Sequence, residues 1–296
     1  MIELAIISLR LLQYTGAAIL FGSSLFFLYA PAGPTSPSLD RATRRLLTTG
    51  AAILAVAALL AIAFQASLFT GSLAGGFSFE AVGSVISFMS FGKAAVVRAV
   101  AAGAALLLLV TLPLSRATLV ATGGLGAIAA ASLAWMGHAA ASESWVHLVA
   151  DAFHAWAAAL WIGALFGFLP LLRSADGPHD IVQLETALAR FSALGVPLVL
   201  VLVLSGLVNG WFLTGLEGIA RLPFTPYGQL LLLKLAAFAA MLILAGINRY
   251  YLTPALAKRQ LPGTVTSLRR TIVIETVLGL AVLALVAWLG TLEPLP

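Results

Sequence analysis

Apolar residues in this chain do not alternate with polar ones. They run continuously for twenty or more positions, and polar residues gather between the runs. A helix rises 1.5 Å per residue, so roughly 20 apolar residues cross the hydrocarbon layer of a bilayer. Eight stretches qualify: 3–29, 46–70, 91–112, 117–137, 146–172, 188–213, 227–252 and 270–291. Lipid offers the backbone no hydrogen-bond partner, so runs of this length predict helices. The connections hold Pro, Gly and charge, as in PAGPTSPSLDRATRR (31–45) and PALAKRQLPGTVTSLRR (254–270). The pattern predicts an all-α integral membrane protein with eight transmembrane helices.

Composition agrees. Of the 296 residues, 61% are hydrophobic and 9% charged, against about 25% charged in a soluble domain. No cysteine is present, which excludes disulfides, thiolate metal sites and iron–sulfur clusters. The net charge of +5 does not point to nucleic acid, because no polar basic domain exists to bind it. Eleven of the 16 basic residues lie in or beside the connections after the first, third, fifth and seventh runs: Arg41, Arg44, Arg45, Arg116, Arg173, Arg190, Arg249, Lys258, Arg259, Arg269 and Arg270. Basic loops stay on the cytoplasmic side, so both termini are expected on the outer side. The first run has no basic region ahead of it and is too long for a signal peptide's apolar core, so it is expected to be retained.

The two halves resemble each other. Arg45, Gly50, Gln65 and Gly71 fall opposite Arg190, Gly195, Asn209 and Gly215. FGKAAVVR (91–98) matches YGQLLLLK (227–234), and AWMGH (134–138) matches AWLGT (287–291). QYTGAAILFG (13–22) matches HAWAAALWIG (154–163), with Gly22 opposite Gly163. Four matches in order predict two tandem four-helix units, 1–138 and 139–296. An even number of spans per unit gives both the same orientation, related by a pseudo-twofold along the membrane normal. The histidines escape the duplication: Gln13 stands opposite His154, and Thr291 opposite His138.

That asymmetry focuses attention on HLVADAFHAWAAALWIG (147–163). His147, Asp151 and His154 advance by four and three and share one helix face, which Trp161 continues. His154 lies roughly 12 Å from the outer end of its span at 1.5 Å per residue. His138 closes the preceding span, one short loop away, and Met136 lies at the same level. Charged groups inside a membrane are costly and usually pair within the bundle. Asp151 is therefore expected to form a salt bridge with Arg98 or Lys234, or to orient a histidine by accepting its N–H. Imidazole and thioether ligands suit copper, so His138, His147, His154 and Met136 are the candidate metal ligands. Asp151, Arg98, Lys234 and Trp161 are the candidate supporting residues. A haem b held by two histidines, with Arg98 or Lys234 at its propionates, satisfies the same residues and gives the alternative of a membrane cytochrome or metal reductase. No nucleotide-binding motif appears, and a binding or transport protein is expected rather than an enzyme.

At these residues the chain resembles the CopD copper resistance family of bacterial inner-membrane proteins. The resemblance rests on WMGHAA, HLVADAFHAWAAALWIGAL, RFSALGVPLVLVLVLSGLVNG, TPYGQLLLLKLAAFAAMLILAGINRYYLTP and LRRTIVIETVLGL, with the CopD-like region at about 186–290. It implies a protein that moves copper from the periplasmic side toward the cytoplasm, with a small periplasmic CopC-like copper-binding protein as partner. His138, Asp151, His154 and Trp161 fall on the family's motif positions. Membrane lipid is the other expected partner.

Overall fold

The computed structural model describes residues 2–31, 36–137, 144–173, 177–258 and 263–294, and their side chains except at 178, 216 and 217. Among them are eight helices long and apolar enough to cross a membrane: α1 Ile2–Tyr29, α2 Pro37–Thr70, α3 Ser90–Thr111, α4 Arg116–Met136, α5 Trp145–Arg173, α6 His179–Gly215, α7 Pro226–Ala257 and α8 Thr264–Leu289. No strand occurs among the described residues. The expected spans are all present, but α2 and α6 start about nine residues early and α7 runs five residues longer. Apolar length measures the lipid slab, whereas a helix continues into water wherever its residues favour it. Ser36 accepts the Leu39 N–H at 3.3 Å and Pro37 takes the first turn, so α2 begins well before its apolar run. A short helix, Phe79–Phe88, sits between α2 and α3, where the hydrophobic pattern gives only a connection.

Helices α1 and α5 form the centre. α1 packs on α2, α4, α5 and α8; α5 packs on α1, α4, α6 and α8. A Cβ on Gly22 would stand 2.9 Å from Gly163 Cα, and one on Gly163 would strike the Ala18 carbonyl. Only glycine lets two helix backbones approach this closely in a membrane. Ser23 Oγ donates to the Gly163 carbonyl at 2.7 Å. One turn further, the Phe26 and Phe168 rings meet edge to face at 4.6 Å. A π-helical segment, Ala18–Ser23, widens α1 along this contact.

The remaining helices are arranged unequally. α2 and α3 pack closely, as do α3 with α4 and α7 with α8. α6 and α7 meet only near their ends, through residues 219–224 and 248–257. Within their apolar windows 11% and 6% of residues are buried, against 67% in α5. A gap therefore opens along the bundle between α6 and α7.

Candidate functional site

The polar face of α5 meets a polar face of α6. His147 lies flat on Phe212, ring centroids 4.9 Å apart and planes 4° from parallel. Asn209 Nδ2 donates to Asp151 Oδ1 at 3.0 Å. His154 Nδ1 stands 2.9 Å from Ser205 Oγ. Positions 147, 151 and 154 thus pair with 212, 209 and 205, the register of two antiparallel helices that each turn every 3.6 residues.

The hydrogen bonds assign atoms. Ser205 Oγ lies 2.5 Å from the Val201 carbonyl, which can only accept, so its proton goes there. Ser205 thereby holds Nδ1 of His154. The tautomer with Nδ1–H donating to the serine oxygen is the one that leaves Nε2 with its lone pair, as a metal ligand requires. Asn209 presents its NH₂ to the carboxylate, and its Oδ1 is buried without a hydrogen-bond partner among the described residues. An orphaned acceptor beside an acid is an environment suited to a cation.

Lys234 of α7 acts electrostatically on both Asp151 and His154. All three are half-buried.

Arg98 is placed elsewhere. It is fully buried, and its guanidinium donates to Gln13 Oε1, to Ser132 Oγ at 3.0 Å, to the Ser132 carbonyl at 2.8 Å and to Met136 Sδ at 2.8 Å. The expected Asp151–Arg98 salt bridge is replaced by neutral acceptors from α1 and α4, which spacing along one chain cannot reveal. Met136 is buried with its sulfur turned to Arg98. Ligation by that sulfur requires the guanidinium to leave.

Trp161 belongs to a different cluster. Its indole N–H donates to Glu275 Oε1 at 2.9 Å, and Asn248 Nδ2 donates to Glu275 Oε2 at 3.3 Å. Thr271 Oγ1 donates to Asn248 Oδ1 at 2.6 Å. Asn248 opens a second π-helical segment, Asn248–Leu252. Trp161 shares the α5 face of His154 but lies two turns on, about 10 Å along the axis, and supports Glu275 instead.

His138 lies outside the described residues. Its neighbour Gly137 is close to Asp151: a Cβ there would stand 3.9 Å from Asp151 Oδ2. Among the described residues no three histidine or acidic side chains converge as a metal-binding group. His147 and His154, about 10 Å apart along α5, have separate partners. Ser205, Asn209 and Phe212 were not expected from the sequence, although they repeat on α6 the four-and-three spacing of α5.

Eight membrane-length helices, with ionisable side chains gathered between α5, α6 and α7, define a polytopic membrane protein with a polar intramembrane site. Two family models match: Copper resistance protein D-like, N-terminal domain, over residues 1–148, and Copper resistance protein D over 185–289. The chain belongs to the copper resistance protein D family. It is 33% identical over 300 residues to Copper resistance protein D of Pseudomonas syringae pv. tomato, covering 97% of this chain and 96% of that one. It is 29% identical to Copper transport protein CutJ of Bacillus subtilis (strain 168), covering 97% of this chain and 53% of the relative. Inner membrane protein YebZ of Escherichia coli (strain K12) is 34% identical over 55% of each chain. No solved structure matches.

Proposed function

We propose that this protein takes copper at the end of the bundle holding Asp151 and His154 and passes it toward the cytoplasm. The observation that carries this reading is the contact of His154 Nδ1 with Ser205 Oγ at 2.9 Å, one turn from an Asp151 held by Asn209. Asp151 adds a carboxylate beside the histidine, and the orphaned Asn209 Oδ1 adds a neutral acceptor. His138 and His147 form the entry level of the same site, and the ion is handed along α5 from them to His154. Met136 joins only when Arg98 releases its sulfur. Asp151 also offsets Lys234.

The tandem-unit reading fits the central contact. Gly22 and Gly163 are counterparts in the two sequence copies and approach each other, as residues on a pseudo-twofold axis must. The same register sets Arg10 opposite Asp151, Gln13 opposite His154 and Arg98 opposite Lys234. The first unit thus holds Gln13 against a fully bonded Arg98, while the second pairs a histidine with an acid. The repeat is one scaffold with one half specialised for copper, and the basic-loop end is cytoplasmic. A periplasmic CopC-like protein delivers the ion.

Metal analysis of the purified protein together with its absorption spectrum tests this. Copper without a Soret band is expected. A Soret band with haem iron and no copper would replace copper by haem b at the same histidines.

A further inference from the structure

The basic end of the bundle carries a feature that copper handling does not use. Four arginines there bind backbone carbonyls. Arg44 donates to Leu109 and Leu112 at the end of α3, the latter at 2.8 Å. Arg190 reaches Tyr29 and Pro31 at the end of α1, at 2.7 and 3.0 Å. Arg269 reaches Leu172 at the end of α5 at 2.7 Å, and Arg249 the Ser192 carbonyl of α6 at 2.5 Å. Carbonyls at helix C-termini lack intrahelical partners and carry partial negative charge, so cations suit them.

Arg41, Arg45 and Arg173, like Arg116 and Arg270, make no such bond among the described residues. They line one cavity of about 470 Å³ between the first turns of α2 and the last turns of α5, together with Ser38, Phe166 and Leu169. No hydrogen bond or ion pair joins any of the three guanidiniums to a described residue. All three arginines are exposed, and no acidic residue is among the described residues that line the cavity. The floor, by contrast, is apolar: Phe166 and Leu169 are half-buried on the membrane-side turns of α5.

We propose that this cavity binds an anionic phospholipid. The headgroup phosphate sits between Arg41, Arg45 and Arg173, which supply paired N–H donors to its oxygens. Ser38 donates from the first turn of α2, and an acyl chain lies over Phe166 and Leu169. The position favours a lipid over a soluble anion. The arginines stand where the apolar run of α2 begins and that of α5 ends, the depth of a headgroup layer, and basic pockets between helices at this level suit anionic headgroups. The bound lipid joins the start of α2 to the end of α5, across the two sequence copies.

Native mass spectrometry of the delipidated protein tests this, with phosphatidylglycerol and phosphatidylcholine of equal chain length. Each Arg or Lys near an anionic lipid contributes about 1 kcal/mol, so the wild type is expected to prefer phosphatidylglycerol by about tenfold or more. Arg41→Gln/Arg45→Gln/Arg173→Gln is expected to lose the preference. Arg116→Gln/Lys258→Gln/Arg270→Gln removes the same charge at the same end outside the cavity and is expected to keep it. Equal loss in both variants, or none in the first, overturns the proposal. Occupancy by inorganic phosphate that displaces phosphatidylglycerol would assign the cavity to a small anion and overturn the lipid. Circular dichroism and elution volume establish that each variant is folded.

Discussion

His154 Nδ1 stands 2.9 Å from Ser205 Oγ, which also bonds the Val201 carbonyl. A serine on α6 thereby holds one ring nitrogen of an α5 histidine. Ser205→Ala removes the hydroxyl without disturbing apolar packing. Loss of such an orienting bond costs about tenfold or more in metal affinity. The expected result is a weaker copper affinity by competition titration, with thermal stability near wild type. Affinity should also fall on acidification, since protons compete for the ligating nitrogen.

Asp151 and Lys234 act on each other electrostatically. Asp151→Asn leaves the lysine uncompensated, and Lys234→Met leaves the acid so. Each single variant is expected to lower thermal stability, and the double variant to recover part of it, with a coupling of about 1 kcal/mol. Copper affinity should not recover in the double variant, because the negative charge beside His154 is still missing. A thermal-shift double-mutant cycle with copper titrations separates the two effects.

Gly163→Ala places a methyl group against the α1 backbone at Ala18 and Gly22. Overpacking of this kind costs about 2 kcal/mol, and here the obstacle is backbone rather than a flexible side chain. Gly103→Ala on α3 meets nothing within 4 Å and should be neutral or stabilising by up to about 1 kcal/mol. Midpoints of thermal unfolding in detergent should differ in that order.

Trp161→Phe removes a hydrogen bond to the buried Glu275 carboxylate. A bond to a charged group contributes about 1.5–3 kcal/mol, so a measurable loss of stability is expected. Copper stoichiometry should stay at the wild-type value, because Trp161 is remote from Asp151 and His154. A loss of copper in this variant would join the two clusters into one site.

The spans were legible because lipid imposes continuous apolar runs, and the face 147–151–154 because helical spacing is local. What lay beyond reach was partnership between helices. Arg98 and Asp151 looked like natural partners by charge, yet Gln13, Ser132 and Met136 take the arginine, since uncharged acceptors from two other helices satisfy it. Trp161 shares the α5 face but not its level, because a 29-residue helix crosses several polar layers. Ser205 and Asn209 had a visible signal in their matching spacing on α6. Only the antiparallel register shows which residues they meet.

The central claim is that His154 holds copper through Nε2. Copper content of the purified wild type against His154→Ala tests it most directly, with both loaded and washed alike. Copper is expected to stay with the wild type and to be lost from the variant, with elution volume unchanged. Equal copper in the two would contradict it and remove His154 as a ligand.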